Sequence, residues 1–367
     1  MLKICYYGGE NLMFLMKELE KNGHNILYNQ FSKDANIVFV DSHSKMYKIY
    51  PLLKKIKRYK IKLVIYLADI PIWRLSKDGF KTIGILDEIN QNYYITKLFL
   101  QYFYHIIHKH YILDKILNHL LQILNKYKTT KKLSLKINLY LNHHHQNNKI
   151  YYQINLKNFL KNSDLNLSMS KFTQLCFKKL LKVDSKVWYL SANSKLIENI
   201  KELPIKYDII NISRITTHKR QKLIVNASKK LGLKVIIIGA HQDKNIKLDC
   251  PHFCLNHLNT MKELKKSRIY VDASMYEGFG LTPVEAVFSG KIVIASDTYI
   301  HREVLGNYPL YFIKDDLDDL MKKIKQALNG EFKLDKEAAE QIKKKYSVES
   351  GKNKLEKFLK SIINKKN

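Results

Sequence analysis

The sequence is short of acidic residues. Its 367 positions hold 33 Asp and Glu against 64 Lys and Arg, a net charge of +31. A surface of that sign attracts anions: phosphate-bearing small molecules, nucleic acid or an anionic lipid face. Composition does not choose among them, and an AT-rich genome, which favours Lys, Ile, Asn and Tyr, produces the same excess. Cysteine is scarce as well. Cys5, Cys176, Cys250 and Cys254 are too few and too scattered for a disulfide framework and read as free thiols in a reducing compartment. Cys250, His252 and Cys254 have no second ligand pair at zinc spacing, so no metal site is expected. With 13 Gly and 6 Pro, collagen-like and low-complexity classes are excluded. No apolar run approaches the roughly 18 residues of a membrane span. After Lys3 the chain passes directly into a strand pattern, without an apolar stretch of signal-peptide length. The expectation is a cytoplasmic protein, able to rest peripherally on an anionic membrane.

What is present is an α/β rhythm. At about 150 residues per domain, the length suggests two domains. Ile4–Tyr7, Ile37–Val40, Leu63–Leu67, Leu165–Met169 and Val187–Leu190 read as strands, and Asn11–Lys21 and Phe172–Leu181 as helices. Past a polar boundary at Ser191–Pro204, strands are expected at Asp208–Ile212, Lys234–Ile238, Ile269–Ala273 and Lys291–Ala295. Helices are expected at Leu223–Leu231, Met261–Lys266, Thr282–Ser289 and Leu317–Leu328, and a Lys-rich helical segment from Lys336 to Asn367. Strands alternating with helices argue for parallel βαβ units. The division expected is 1–200, then 201–345, then a basic C-terminal helix, 346–367, crossing back to the first domain. Residues 91–160 stand apart, with ten Lys, seven His and twelve Tyr or Phe against a single acid, Asp114. Ile95, Leu98, Phe99, Tyr102, Phe103 and Ile106 fall at helical spacing, so an amphipathic helix begins there. It either packs on the sheet with a solvated basic face or lies against an anionic surface. His143, His144 and His145 read as a surface loop.

The most informative stretch runs from Tyr276 to Ala286. A strand leads into a glycine loop, and the loop into a helix. Gly278 and Gly280 let backbone approach a ligand closely. Thr282 is placed as N-cap, Pro283 as first helical residue, and Glu285 completes a capping box. The helix N-terminus then suits a diphosphate. Glu285 alternatively does no more than cap its helix, and the glycines no more than turn the chain. Upstream, Arg214 and Lys219 follow the strand Asp208–Ile212. There Arg214 has the fork geometry for phosphate and Lys219 is a point charge. Asp315, Asp316, Asp318 and Asp319 sit at a helix start and are expected to cap it, not to hold a metal.

The block from Asn211 to about Glu303 resembles the nucleotide-sugar-binding domain of retaining glycosyltransferases of family 4, which have the GT-B architecture. Arg214 and Lys219 match that family's phosphate pair, and Glu277 to Glu285 its Glu-x7-Glu motif. Gly290–Asp297 matches the strand that follows, without its usual Pro, and Arg302-Glu303-Val304 a later element. Gly8 and Gly9 fall at its first glycine turn, and Ser170 to Thr173 at its Ser-x-x-Thr segment. The Pro-Asn-Gly-Val element before the second domain is replaced by Ser191-Ala192-Asn193-Ser194. The resemblance implies two Rossmann-like domains facing across a cleft. It further implies hexosyl transfer from a UDP or GDP sugar to a hydroxyl of a glycan, a lipid or a glycoprotein-linked glycan. Glu277 would contact the donor sugar and Glu285 the ribose. Gly8, Gly9 and the backbone of Gly278, Phe279, Gly280, Leu281 and Thr282 would line the donor site. Arg214 and Lys219 would balance the leaving diphosphate, with no metal or other cofactor required. Asp69 is the candidate on the acceptor side; its plain alternative is a turn residue before proline. The competing expectation is a basic nucleic-acid-binding protein, or a transferase with a nucleic-acid acceptor, although no recognition motif for nucleic acid is present.

Overall fold

The computed structural model describes residues 1–41, 52–67 and 159–364. The chain divides into two units, Met1–Ile70 with Asn162–Asn367, and Pro71–Lys161. All the strands below belong to the first unit. Asp69, the helix expected from Ile95 and the run His143–His145 lie outside the described residues.

Two parallel sheets of six strands each form this unit. The first contains β1 (Lys3–Tyr7), β2 (Asn25–Tyr28), β3 (Ile37–Val40), β4 (Lys62–Leu67), β5 (Leu165–Ser168) and β6 (Lys186–Val187), in the order β2-β1-β3-β4-β5-β6. The second contains β7 (Tyr207–Ile212), β8 (Val235–Ile238), β9 (His252–Phe253), β10 (Ser267–Asp272), β11 (Ile292–Ser296) and β12 (Leu310–Phe312), in the order β12-β11-β10-β7-β8-β9. The central strands are continuous apolar runs because helices cover both faces of a parallel sheet. Every residue of Ile37–Val40 and of Val235–Ile238 is buried.

In each sheet the strand order reverses beside the first strand, between β1 and β3 and again between β7 and β10. Ligands of open parallel sheets bind at such reversal points, beyond the C-terminal ends of the strands. The loops after β7 and β10 are those that carry Arg214, Lys219 and the glycine segment.

The helices are α1 (Glu10–Lys21), α2 (Leu53–Arg58), α3 (Lys171–Leu181), α4 (Ser194–Glu198), α5 (Gln221–Lys230), α6 (His257–Lys265), α7 (Leu281–Phe288), α8 (Tyr299–Leu305), α9 (Leu317–Leu328), α10 (Lys336–Tyr346) and α11 (Val348–Ile363). The basic C-terminal segment is two helices, divided at Ser347, close to the boundary expected at 345/346. Ser347 leaves helical geometry at ψ 156° and caps α11 by accepting from the Ser350 N–H. Helix α11 reaches the first sheet's elements: Asn22 donates to Glu356 at 2.7 Å, and the Trp188 indole donates to the Gly351 carbonyl at 2.9 Å. The strand expected at Val187–Leu190 is only the pair Lys186–Val187. Asp316 caps α9 as expected, accepting from the Asp318 and Asp319 N–H groups. No described helix is long and apolar enough to cross a membrane.

Candidate functional site

β7 and β10 are neighbours, with Ile209 opposite Ile269, so the loops that leave their C-terminal ends run side by side. The loop after β7 closes into a 3-10 turn, Thr217–Lys219. His218 ties it to its neighbour. Its carbonyl accepts from the Met275 N–H at 2.8 Å, and its ring stacks on Tyr276 with 4.6 Å between centroids and 7° between planes. Burial, aided by Lys219 and Arg214, pushes the His218 imidazole down to about 3, so it stays neutral near pH 7.

Lys219 therefore projects into the glycine segment, and its ammonium pairs with the Glu277 carboxylate. Only 10% of the Lys219 side chain and 15% of that of Glu277 are exposed. Ser274 Oγ donates to the same Glu277 oxygen at 3.0 Å. An ammonium has three donors, so pairing with Glu277 leaves capacity for an incoming anion. Arg214 is exposed and forms no ion pair with a described residue; its carbonyl anchors Gln221 at 2.8 Å.

Under Lys219 lies Asp272, which is fully buried. Burial pushes its carboxyl up, but His301, Lys219 and the Ser274 N–H outweigh that and hold it below the usual carboxylate range. His301 Nδ1 contacts the Ser296 carbonyl at 2.8 Å, and its Nε2 stands 3.9 Å from Asp272 Oδ2. Asp272 and His301 lie 29 positions apart, so no local motif marks this buried layer.

The expected capping box is not formed. Helix α7 starts two residues earlier, at Leu281 in place of Pro283, with Gly280 as its cap at φ +80°. This left-handed geometry suits glycine and sets the helix axis before Thr282 is reached. Thr282 becomes the second helical residue and lies by the Tyr270 phenol. Glu285 is turned away from the helix start, and its Oε1 accepts from His257 Nε2 at 2.7 Å. The N–H groups of Leu281 and Thr282 remain without intrahelical acceptors, and Pro283 has none to satisfy. The positive end of α7 thus lies beside the Glu277 side chain, whose Cγ is 3.8 Å from the position of a Cβ on Gly280.

The glycine loop is held from the first sheet's side. Ser170 Oγ donates to the Gly278 carbonyl at 2.7 Å, and Ser170 also forms a capping box with Thr173 at the start of α3. A Cβ on Gly278 would sit 2.5 Å from Met169 Sδ, so a larger residue here would have to displace that side chain. Phe279 is buried with its ring 6.1 Å from Tyr189 and 5.1 Å from Tyr346, which leaves only its backbone for a ligand. Glu303 was matched in sequence without a role. Its carboxylate accepts from the Lys171 N–H at 2.7 Å, the Phe172 N–H at 3.0 Å and the Tyr189 hydroxyl at 3.0 Å. It caps a helix that follows the other sheet.

Gly8 is buried and Gly9 exposed at the start of α1. The Gly9 N–H donates to Asp41 Oδ1 at 3.0 Å, and Tyr6 donates to the other oxygen of that carboxylate. Asp41, at the end of β3, fixes the first glycine turn and was not singled out from the sequence. Among the described residues, no cluster of three or more His, Cys, Asp or Glu side chains is arranged to hold a metal.

Residues 195–345, the part that holds Arg214, Lys219 and both ends of the Glu277–Glu285 segment, match the family described as Glycosyl transferases group 1. No curated protein matches the chain by sequence. Solved structures match it along its whole length. One is the sucrose-phosphate synthase of Thermosynechococcus elongatus, 13% identical, covering 99% of each chain at a TM-score of 0.59. Another is Anabaena Alr3699/HepE, solved with UDP and glucose, 13% identical, covering 98% of this chain and 100% of that one at 0.61. A third is the pneumococcal O-GlcNAc transferase GtfA, solved with UDP and GlcNAc, 14% identical, covering 97% of this chain but 61% of that one at 0.52. The fold is GT-B, and the segment that matches the family model is built on the second sheet.

Proposed function

We propose that this chain is a retaining family 4 glycosyltransferase that moves a hexosyl group from a nucleoside-diphosphate sugar to an acceptor hydroxyl. The acceptor is a glycan, a lipid or a glycoprotein-linked glycan. The observation that carries this reading is the Lys219–Glu277 pair beside the N-terminus of α7, inside the segment that matches the group 1 family.

Breaking the glycosidic C–O bond builds negative charge on the leaving diphosphate and positive charge on the sugar. In this reading Lys219, Arg214 and the N–H groups at the start of α7 balance the diphosphate. Each such fixed charge or dipole in a dry site is worth on the order of 3 kcal/mol at the transition state. Glu277, anchored by Lys219 and Ser274, accepts from the sugar hydroxyls near the reacting carbon. Glu285 accepts from the ribose hydroxyls. Gly8 and Gly9, at the start of α1, complete the donor site from the first sheet. Two cations and a helix terminus supply the positive charge, so the scheme calls on no metal. The first sheet's elements take the acceptor, and the +31 charge favours an anionic acceptor or membrane surface.

UDP is the first nucleotide to test, since two of the similar structures were solved with it. The test is sugar release and transfer from a panel of UDP and GDP sugars by the full chain. Turnover with at least one donor, retention of anomeric configuration in the product, and a loss of at least about tenfold in Glu277→Gln and Arg214→Ala are expected. Inversion in the product, or full turnover in both variants, would overturn it.

A further inference from the structure

Glu285 is a buried carboxylate with one hydrogen-bond partner among the described residues. Its side chain is 6% exposed, and Oε1 lies 2.7 Å from Nε2 of His257, whose own side chain is 45% exposed. Since a carboxylate only accepts, His257 must carry its proton on Nε2. Both partners stand on rigid supports. His257 is the first residue of α6, held by the Asn256 cap, whose oxygen accepts from the Asn259 N–H at 2.9 Å. Glu285 sits on α7, where residues 283 to 287 are all buried.

One carboxylate oxygen is therefore fixed by the protein, and the other is left to accept. Two adjacent ribose hydroxyls are donors that need a carboxylate in one orientation. Without His257, Glu285 would turn about its last torsion, and its orientation would have to be fixed when ligand binds. We propose that His257 is a positioning residue that orients Glu285 for the ribose of the nucleotide. This rests on the reading of Glu285 as the ribose acceptor and adds the residue that makes it selective. The partial exposure of His257 places its ring at the edge of the site, outside the diphosphate machinery.

The experiment is calorimetric titration of the full chain with UDP and GDP, each beside its 2′,3′-dideoxy analogue. In His257→Ala, affinity for the ribonucleotide should fall about tenfold, the scale of one lost hydrogen bond. Affinity for the dideoxy analogue should not change. His257→Gln, whose amide N–H has similar reach, should restore most of the loss. His257→Asn, polar but too short, should behave like the alanine variant and covers a failure of that variant to fold. In turnover the loss should appear in KM for the donor, with kcat within about twofold at saturation. Equal weakening of both analogues, or no weakening of either, overturns the role of His257. If the wild type binds neither nucleotide, or binds both analogues of each alike while Glu285→Ala is silent, the assignment of Glu285 itself falls.

Discussion

Lys219→Met removes the ammonium at the centre of the site and keeps most of the side-chain volume. With 10% and 15% of the two side chains exposed, solvent does little to screen the charge left on Glu277. Breaking one side of a buried pair costs about 3–5 kcal/mol, because the remaining charge stays desolvated. Ser274 Oγ still donates to Glu277, so the carboxylate is not left wholly unpaired and the cost falls toward the lower end of that range. The expected destabilisation is about 2–4 kcal/mol. Glu277→Gln should cost a similar amount by stranding Lys219. The double variant carries no buried charge and should lose less than the sum of the two, with a coupling of about 2 kcal/mol. The assay is urea unfolding of all four proteins followed by circular dichroism, with equal denaturant slopes required. A single variant within about 0.5 kcal/mol of wild type, or a double variant that equals the sum of the singles, would refute a buried, mutually dependent pair.

Three further outcomes are expected. Glu303→Ala strands the first two N–H groups of α3 and the Tyr189 hydroxyl, and should lower stability by about 2–3 kcal/mol in thermal unfolding; an unchanged midpoint would deny that cap. Gly280→Ala places a Cβ at φ +80°, and should cost about 1–2 kcal/mol in urea while slowing turnover through the shifted helix start; a neutral result would mean the cap relaxes. The pH dependence has two opposed parts. The His218 imidazole is neutral in the folded protein down to about 3, so the unfolded chain binds the extra proton below about pH 6.5 and stability falls with pH, by about 2 kcal/mol at pH 5. The His257 imidazole is pushed up by its bond to Glu285, against burial. Its contribution is therefore full below the unfolded value and fades as pH rises through the folded one. His218→Gln should flatten the loss between pH 7 and 5, whereas His257→Gln should steepen it.

Much of the fold can be read from buried-strand runs, because a parallel sheet covered on both faces needs unbroken apolar segments. Ile37–Val40 and the four residues of Val235–Ile238 are such runs, and both are strands. Short or edge elements carry less pattern. Asn25–Tyr28 and Leu310–Phe312 pair only at sheet margins and went unread. Helix α6 begins four residues before the apolar periodicity suggested, because the Asn256 cap, not an apolar residue, sets its start. At the site, the cations and the glycine loop are visible as motifs after two strands that the sheet makes neighbours, β7 and β10. The partners were not. Glu285 looked like a cap because its spacing from Thr282 fits one, but Gly280 at positive φ moves the helix start and frees it. Its true partner, His257, is 28 positions away in sequence, and only the sheet order brings them together.

The central claim is that a diphosphate docks between Lys219 and the start of α7. A crystal structure of the full chain with UDP tests that most directly. The expected result is a β-phosphate oxygen about 3 Å from Lys219 Nζ and another at the same distance from the N–H of Leu281 or Thr282, with Arg214 drawn in beside them. A diphosphate seated elsewhere, with the Lys219–Glu277 pair and the end of α7 both untouched, would contradict it.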